Sequence, residues 1–244
     1  MELGKYETNN VYCVDSYKAI KELPDKCIDC IYTDIPYLYN NGGGGTSELS
    51  KRIRIVSDEY LADIKDGIDF SILEDFVRVM KKINIFIWCS KLQILDIMKF
   101  FVEKCDCFFE ILTWNKTNPT PATMNTWLPD IEYCLYFREK GVPLNDGYGL
   151  KSKWYDSPIN KKDKDKFNHP TIKPLDLVKR HILHTTQPND IVADFFMGSG
   201  TTCVASKDTD RQYIGFEIEE KWYKIAKDRL ENIDANGQIG LFLN

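Results

Sequence analysis

Apolar residues along this chain gather in short runs, separated by segments in which they recur at intervals of three and four. The runs Val11 to Val14, Cys27 to Thr33, Ile83 to Trp88, Phe108 to Trp114, Glu132 to Phe137, Ile191 to Phe195 and Tyr213 to Glu217 predict strands. Helical spacing covers Ser16 to Leu23, stopped by Pro24, then Phe70 to Lys82, Lys91 to Lys104, Pro174 to Thr186, Thr201 to Lys207 and Glu220 to Ile233. Strands alternating with helices predict an α/β sheet. No apolar run nears the roughly 20 residues needed to span a bilayer.

Three stretches lack either period. Asn115 to Pro129 is a Pro- and Asn-rich turn between two strands. Leu38 to Asp66 is polar, contains Gly42 to Gly45, and is too long for an ordinary connection, so it reads as a functional or mobile loop. Arg138 to Asn168 reads as an irregular excursion from the sheet.

Composition narrows the class. A chain of 244 residues with 43% hydrophobic and 28% charged residues suits one globular domain. The segment Met1 to Lys5 has no basic-then-apolar signal pattern, and a cytoplasmic protein is expected. Eight cysteines set in apolar or strand-period contexts, beside only three histidines, predict reduced core residues and no metal site. A net charge of −5 means that any contact with nucleic acid must be local. Two basic patches qualify: Lys51, Arg52 and Arg54, and a segment holding Lys151, Lys153, Lys161, Lys162, Lys164 and Lys166 against Asp156, Asp163 and Asp165. Each also reads as a solvated charged loop.

Candidate chemistry sits at the ends of two strands. Asp34-Ile35-Pro36-Tyr37 sets a carboxylate, a free carbonyl and an aromatic ring close together. Such a set can grip a flat heterocycle by its exocyclic amine. Two acceptors on the amine hydrogens localise the nitrogen lone pair and stabilise the charge that develops on attack. Asp34 would supply one acceptor and the Ile35 carbonyl the other, with Pro36 stiffening the turn and Tyr37 stacking on the base. A plain turn after a strand is the alternative. The second loop, Asp194 to Thr202, contains Gly198-Ser199-Gly200, and Glu217 follows 23 residues past Asp194, near the spacing at which a carboxylate meets a ribose. It lacks the third glycine of a dinucleotide fingerprint and the lysine of a phosphate-cradling loop. A nucleoside cofactor without phosphates remains, and S-adenosyl-L-methionine is the obvious member.

In order and spacing these motifs resemble the β class of DNA amino-methyltransferases, the permuted N6-adenine/N4-cytosine family, over nearly the whole chain. D-P-P-Y matches Asp34 to Tyr37, and F-x-G-S-G-T-T matches Phe195 or Phe196 through Thr202. H-P-T-x-K-P matches His169 to Pro174, and the ribose-binding Glu with its following Tyr and Arg-Leu matches Glu217, Tyr223 and Arg229-Leu230. The resemblance implies a circularly permuted, single-domain, Rossmann-like fold over residues 1–244. Its mixed seven-stranded sheet has the order 3-2-1-4-5-7-6, with strand 7 antiparallel and Val11 to Val14 as strand 3. It implies S-adenosyl-L-methionine held by Asp15, His169, Thr171, Lys173, Asp194, Phe195, Phe196, Gly198, Ser199, Gly200, Thr201 and Glu217. His169 to Pro174 would serve the methionine end, with Lys173 at its carboxylate, and Asp15 would lie near the adenine.

The implied reaction is methylation of N6 of a flipped adenine in DNA, within restriction–modification, since Asp at the first motif position is commoner in adenine enzymes. N4 of cytosine, an RNA or glutamine-amide substrate, and a non-catalytic DNA-binding relative are the alternatives. Two departures stand out. Ile35 replaces the usual proline, which loosens the turn but keeps the carbonyl. The target-recognition segment, 138–168, is only 31 residues. DNA contact is therefore expected to be shared with loop 38–66 and its Lys51, Arg52 and Arg54, or with a second subunit in a homodimer. The sequence names no endonuclease partner.

Overall fold

The apolar runs form the strands of one sheet in a computed structural model, which describes residues 1–38, 67–121, 127–147, 149, 151–159 and 172–231. In chain order the elements are β1 (Glu2–Leu3), β2 (Tyr6–Glu7), β3 (Asn10–Cys13), α1 (Ser16–Ala19), β4 (Cys30–Asp34), α2 (Ile72–Val79), β5 (Asn84–Cys89) and α3 (Ile94–Met98). They continue with β6 (Phe108–Lys116), β7 (Ile131–Arg138), β8 (Trp154–Ser157), α4 (Leu175–Thr185), β9 (Ile191–Asp194), α5 (Thr201–Lys207), β10 (Gln212–Glu217) and α6 (Glu220–Glu231). The pair β1 and β2 forms a small antiparallel hairpin that the hydrophobic pattern does not signal.

The main sheet has eight strands in the order β3-β10-β9-β4-β5-β7-β6-β8. Its first five are mutually parallel. Strand β7 runs antiparallel to both β5 and β6. This is the expected 3-2-1-4-5-7-6 order, permuted as expected, with one strand added. The added strand, β8, pairs parallel with β6 from Thr113↔Trp154 to Lys116↔Ser157. It corrects the expectation that residues 138–168 leave the sheet altogether. An edge strand with an exposed face needs no apolar run of its own, because β6 supplies the ladder it completes.

Period-two alternation explains how the sheet is covered on both faces. Ile31, Ile85, Ile87, Leu135 and Phe137 pack on one side with Leu73, Phe76 and Val79 of α2 and Ile97 of α3. Tyr32, Phe86, Trp88, Cys134 and Tyr136 pack on the other with Leu177, Val178 and Ile182 of α4. Two expected helices change character. The segment after β3 gives one turn of α-helix that tightens into a 3₁₀ turn at Ile20–Glu22 ahead of Pro24. The segment after β5 widens into a π turn at Lys99–Lys104, where Cys105 N–H donates to the Phe100 carbonyl at 3.2 Å. There Phe101 stacks on Phe137 of β7 at 4.6 Å between centroids.

From β9 the chain crosses through α5 to β10 on one side, and from β4 it crosses through α2 to β5 on the other. The direction of winding therefore reverses between β9 and β4. A cleft opens at the carboxyl ends of the strands at such a switch point. Asp34 and the glycine loop after Asp194 stand on its two sides.

Candidate active site

Asp34 ends β4 opposite Trp88 of β5. The next residue is fastened twice: Ile35 N–H donates to the Trp88 carbonyl at 3.2 Å, and its side chain lies in the core. The Pro36 carbonyl accepts from Gln93 Nε2 at 2.9 Å. Among the described residues no donor reaches the Ile35 carbonyl. Asp34 Oδ2 is paired with the Lys173 ammonium. Asp34 Oδ1 is buried and accepts no hydrogen bond from the described residues. Burial pushes the Asp34 carboxyl up from its ordinary range, the Lys173 charge opposes this, and Glu132 adds to the rise. The Tyr37 hydroxyl lies 3.4 Å from Lys173 Nζ, and burial raises its pKa well above the ordinary value.

Lys173 is only 7% exposed, and three elements converge on it. Besides Asp34 it meets Glu132 Oε2 of β7 at 3.0 Å, while Glu132 Oε1 meets Lys116 of β6 at 2.6 Å. Its ammonium also lies 5.1 Å from the Trp88 ring centroid and 5.6 Å from that of Tyr37. Burial works against the Lys173 charge, but Asp34 and Glu132 outweigh it and raise its pKa. Burial likewise acts on Glu132, and Lys173 with Lys116 overcomes it, holding that carboxyl at about 2. In the structure Lys173, expected at the cofactor's carboxylate, stands between the carboxylates of Asp34 and Glu132. A buried cation between two protein carboxylates is already neutralised and is committed to the Asp34 side of the cleft.

Across the switch point, the loop after β9 turns on Gly198 (φ 50°) and Gly200 (φ 79°). A Cβ at position 200 would lie 2.8 Å from Ala226 Cβ of α6, so glycine is required there by conformation and space alike. Glu217 closes the loop from β10: Oε2 accepts from Gly198 N–H at 2.9 Å and Oε1 from Glu219 N–H at 2.8 Å. Burial raises its pKa, which those backbone donors oppose. Arg229 of α6 supports the loop from behind, donating to the Ser199 carbonyl at 2.6 Å, Ser199 Oγ at 3.0 Å and Thr201 Oγ1 at 3.2 Å. The Ser199 and Thr201 side chains are therefore loop supports held by Arg229.

The remaining residues expected near the cofactor divide. Asp15 caps α1 through Tyr17 N–H at 2.9 Å, beside the end of β10, where Val14 N–H bonds the Glu217 carbonyl at 2.8 Å. Phe196 is partly exposed next to Tyr17. Phe195 is fully buried between Phe76 and Phe216, so its ring belongs to the core. Asp194 is 3% exposed, and its Oδ1 takes hydrogen bonds from the Thr33 hydroxyl at 2.9 Å and Phe196 N–H at 3.1 Å. Burial pushes its pKa up to about 7. It braces the loop and does not stand open to the cleft. His169 and Thr171 lie outside the described residues, as do Lys51, Arg52, Arg54, Lys161 and Lys162. Lys151 and Lys153 are exposed and paired with Asp146 at 2.8 Å and Glu110 at 2.5 Å, contacts weak enough to be exchanged for other anions.

Sequence reasoning passed over Glu132, Gln93 and Thr33. Glu132 carried a signal, a carboxylate opening an apolar strand. Gln93 carried none, since a glutamine near a helix start is ordinary.

A doubly wound parallel sheet with a glycine turn, an acidic residue after the next strand and a buried carboxylate across the switch point defines a group-transfer enzyme using a nucleoside cofactor. Comparison with known proteins makes this specific. Residues 28–228 match the family described as DNA methylase. The Type II methyltransferase M2.LlaDCHI of Lactococcus lactis subsp. cremoris is 31% identical over 92% of this chain and 91% of its own length. M2.DpnII of Streptococcus pneumoniae, also a Type II methyltransferase, is 29% identical over 93% and 91%. The crystal structure of an M1.HpyAVI–SAM complex superimposes with a TM-score of 0.67 at 27% identity, covering 90% of this chain and 98% of that one. The chain belongs to the DNA methylase family. Among the described residues no helix is long and apolar enough to cross a membrane.

Proposed function

We propose that this protein is a site-specific DNA methyltransferase that methylates N6 of an adenine flipped out of the helix. S-adenosyl-L-methionine is the methyl donor, and when bound it supplies an electrophilic methyl on a sulfonium. The residues present fit it: a glycine turn with no room for side chains, the Glu217 carboxylate with lone pairs left for a ribose, and Asp15 and Phe196 at the same edge. No lysine of the loop calls for a phosphate.

The observation that carries the reading is a pair of acceptors at the end of β4, Asp34 Oδ1 and the Ile35 carbonyl, that take no hydrogen bond from the described residues. A buried acceptor without a donor costs free energy until one arrives, and an exocyclic amine brings two. Asp34 and Ile35 take its N–H bonds, draw the nitrogen toward tetrahedral and free its lone pair for attack. The Lys173 charge favours the ionised form of Asp34 against the effect of burial. Tyr37 stacks on the extruded base, offsetting part of the unstacking cost by about 1–3 kcal/mol. The amine proton leaves after the carbon–nitrogen bond has formed, with the Asp34 carboxylate as its nearest acceptor.

The chain acts in the cytoplasm as one methyltransferase domain. Residues 38–66 and 138–168 carry DNA contact, with Lys51, Arg52, Arg54, Lys151, Lys153, Lys161 and Lys162 on phosphates and a second copy extending the footprint. His169 and Thr171 serve the methionine end. Sequencing DNA from cells expressing the protein, with detection of modified bases, tests this reading. N6-methyladenine within one short sequence is expected. Methylation confined to cytosine would overturn the adenine assignment, and unmodified DNA would overturn the activity.

A further inference from the structure

From the same site we infer that Gln93 is a positioning residue, which aims the Ile35 carbonyl by holding the peptide that follows it. The inference rests on the reading of that carbonyl as the second acceptor for the base amine. Gln93 lies just ahead of α3, is 1% exposed and uses both ends of its amide. Its Oε1 accepts from Ser90 N–H at 3.0 Å, and its own N–H donates to the Ser90 carbonyl at 3.0 Å, so it is tied to the turn after β5. The remaining side-chain polar atom, Nε2, donates to the Pro36 carbonyl at 2.9 Å. The Ser90 donor fixes which end of the amide is oxygen, and the nitrogen must therefore face Pro36.

This bond acts on the loosest joint of the motif. The pyrrolidine ring sets φ of Pro36, and the Ile35–Pro36 peptide is planar, so the free rotations are those on either side of that unit. Ile35 N–H on Trp88 restrains the near side and Gln93 on the Pro36 carbonyl restrains the far side. Between the two clamps the Ile35 carbonyl has one direction. Gln93 has no space to swing away: Gly67 (φ 71°) packs so close that a Cβ there would lie 3.3 Å from Nε2 and 3.3 Å from Leu38 Cβ. An isoleucine in the second motif position lacks the ring that would fix its own φ, and the glutamine, from the turn after β5, adds a restraint on the far side of the same peptide.

The test uses the full chain with Gln93→Met, which keeps volume, and Gln93→Glu, which keeps the acceptor for Ser90 but turns an oxygen toward the Pro36 carbonyl. Methyl transfer is measured per molecule competent to bind cofactor, counted by equilibrium binding, so that misfolded protein does not enter the rate. A fall in kcat of about 10- to 100-fold with KM for the cofactor unchanged is expected, as for misplacement on the order of 1 Å. A second readout needs no cofactor: affinity for oligonucleotides carrying adenine, or purine without its amine, at the target position. The wild type should prefer adenine by about fivefold and both variants should lose the preference. Wild-type kcat and an intact preference in both variants would overturn the inference alone. Absence of transfer by the wild type would overturn the function and the inference with it.

Discussion

Replacing Lys173 with methionine removes the cation that both Asp34 and Glu132 face. Lys116 still holds the far oxygen of Glu132 at 2.6 Å, so the loss falls mainly on Asp34. Breaking a buried pair by deleting one partner costs about 3–5 kcal/mol. Because the Asp34 side chain keeps 28% of its exposure, the lower end, about 3 kcal/mol, applies. The sign with pH follows from the direction of the shift. Burial already raises Asp34 above its unfolded pKa, so ionising it opposes folding as pH rises through the folded value. Without Lys173 that value rises further, because the adjacent opposite charge that opposes the rise is lost. The destabilisation should therefore be greatest at neutral and alkaline pH and shrink toward acid pH, as Asp34 takes up a proton. The acid limb of kcat/KM should move to higher pH, because the amine requires the ionised carboxylate. Urea unfolding across this pH range, with methyl-transfer rates on the same samples, measures both. A folded variant with an unmoved acid limb would refute the assignment of Lys173 to Asp34.

Three further perturbations address other parts of the site. Glu132, held at about 2, contributes stability that is complete above its unfolded value near 4.5 and is lost as pH falls through the folded one. Glu132→Gln should therefore remove about 3 kcal/mol at neutral pH and flatten acid unfolding, followed by circular dichroism. Gly200→Ala forces a Cβ to 2.8 Å from Ala226 at φ 79° and should cost about 1–3 kcal/mol, with weaker cofactor binding by calorimetry. Arg229→Met leaves the Ser199 carbonyl without its 2.6 Å donor and should weaken cofactor binding about tenfold while leaving kcat at saturation nearly unchanged. Equilibrium dialysis and saturation kinetics check the last.

The central strands were legible because they are buried on both faces and announce themselves as apolar runs, as Ile83 to Trp88 does, while their order followed from the family resemblance. Strand β8 was not, since Trp154-Tyr155-Asp156-Ser157 is half exposed and its pairing is dictated by the open edge of β6. The Asp34 and Gly198 motifs were legible because chemistry there depends on residues adjacent in sequence. The partners of Lys173 were not. Asp34, Glu132 and Lys173 sit on three segments that meet only through the order of strands, and a lysine reads alike beside a cofactor carboxylate or a protein one. Phe195 and Phe196 were indistinguishable by spacing alone. The register of β9, which turns Phe195 into the core and leaves Phe196 beside Tyr17, separates them.

The central claim is that Asp34 and its neighbouring carbonyl present an adenine amine for methylation. Incubating the protein with DNA and S-adenosyl-L-methionine, then digesting to nucleosides for mass spectrometry, tests it most directly, with Asp34→Ala as the paired sample. The account predicts N6-methyladenine with the wild type and a loss of about 100-fold or more with the variant. Equal yields from the two proteins, or methyl groups on cytosine alone, would contradict it.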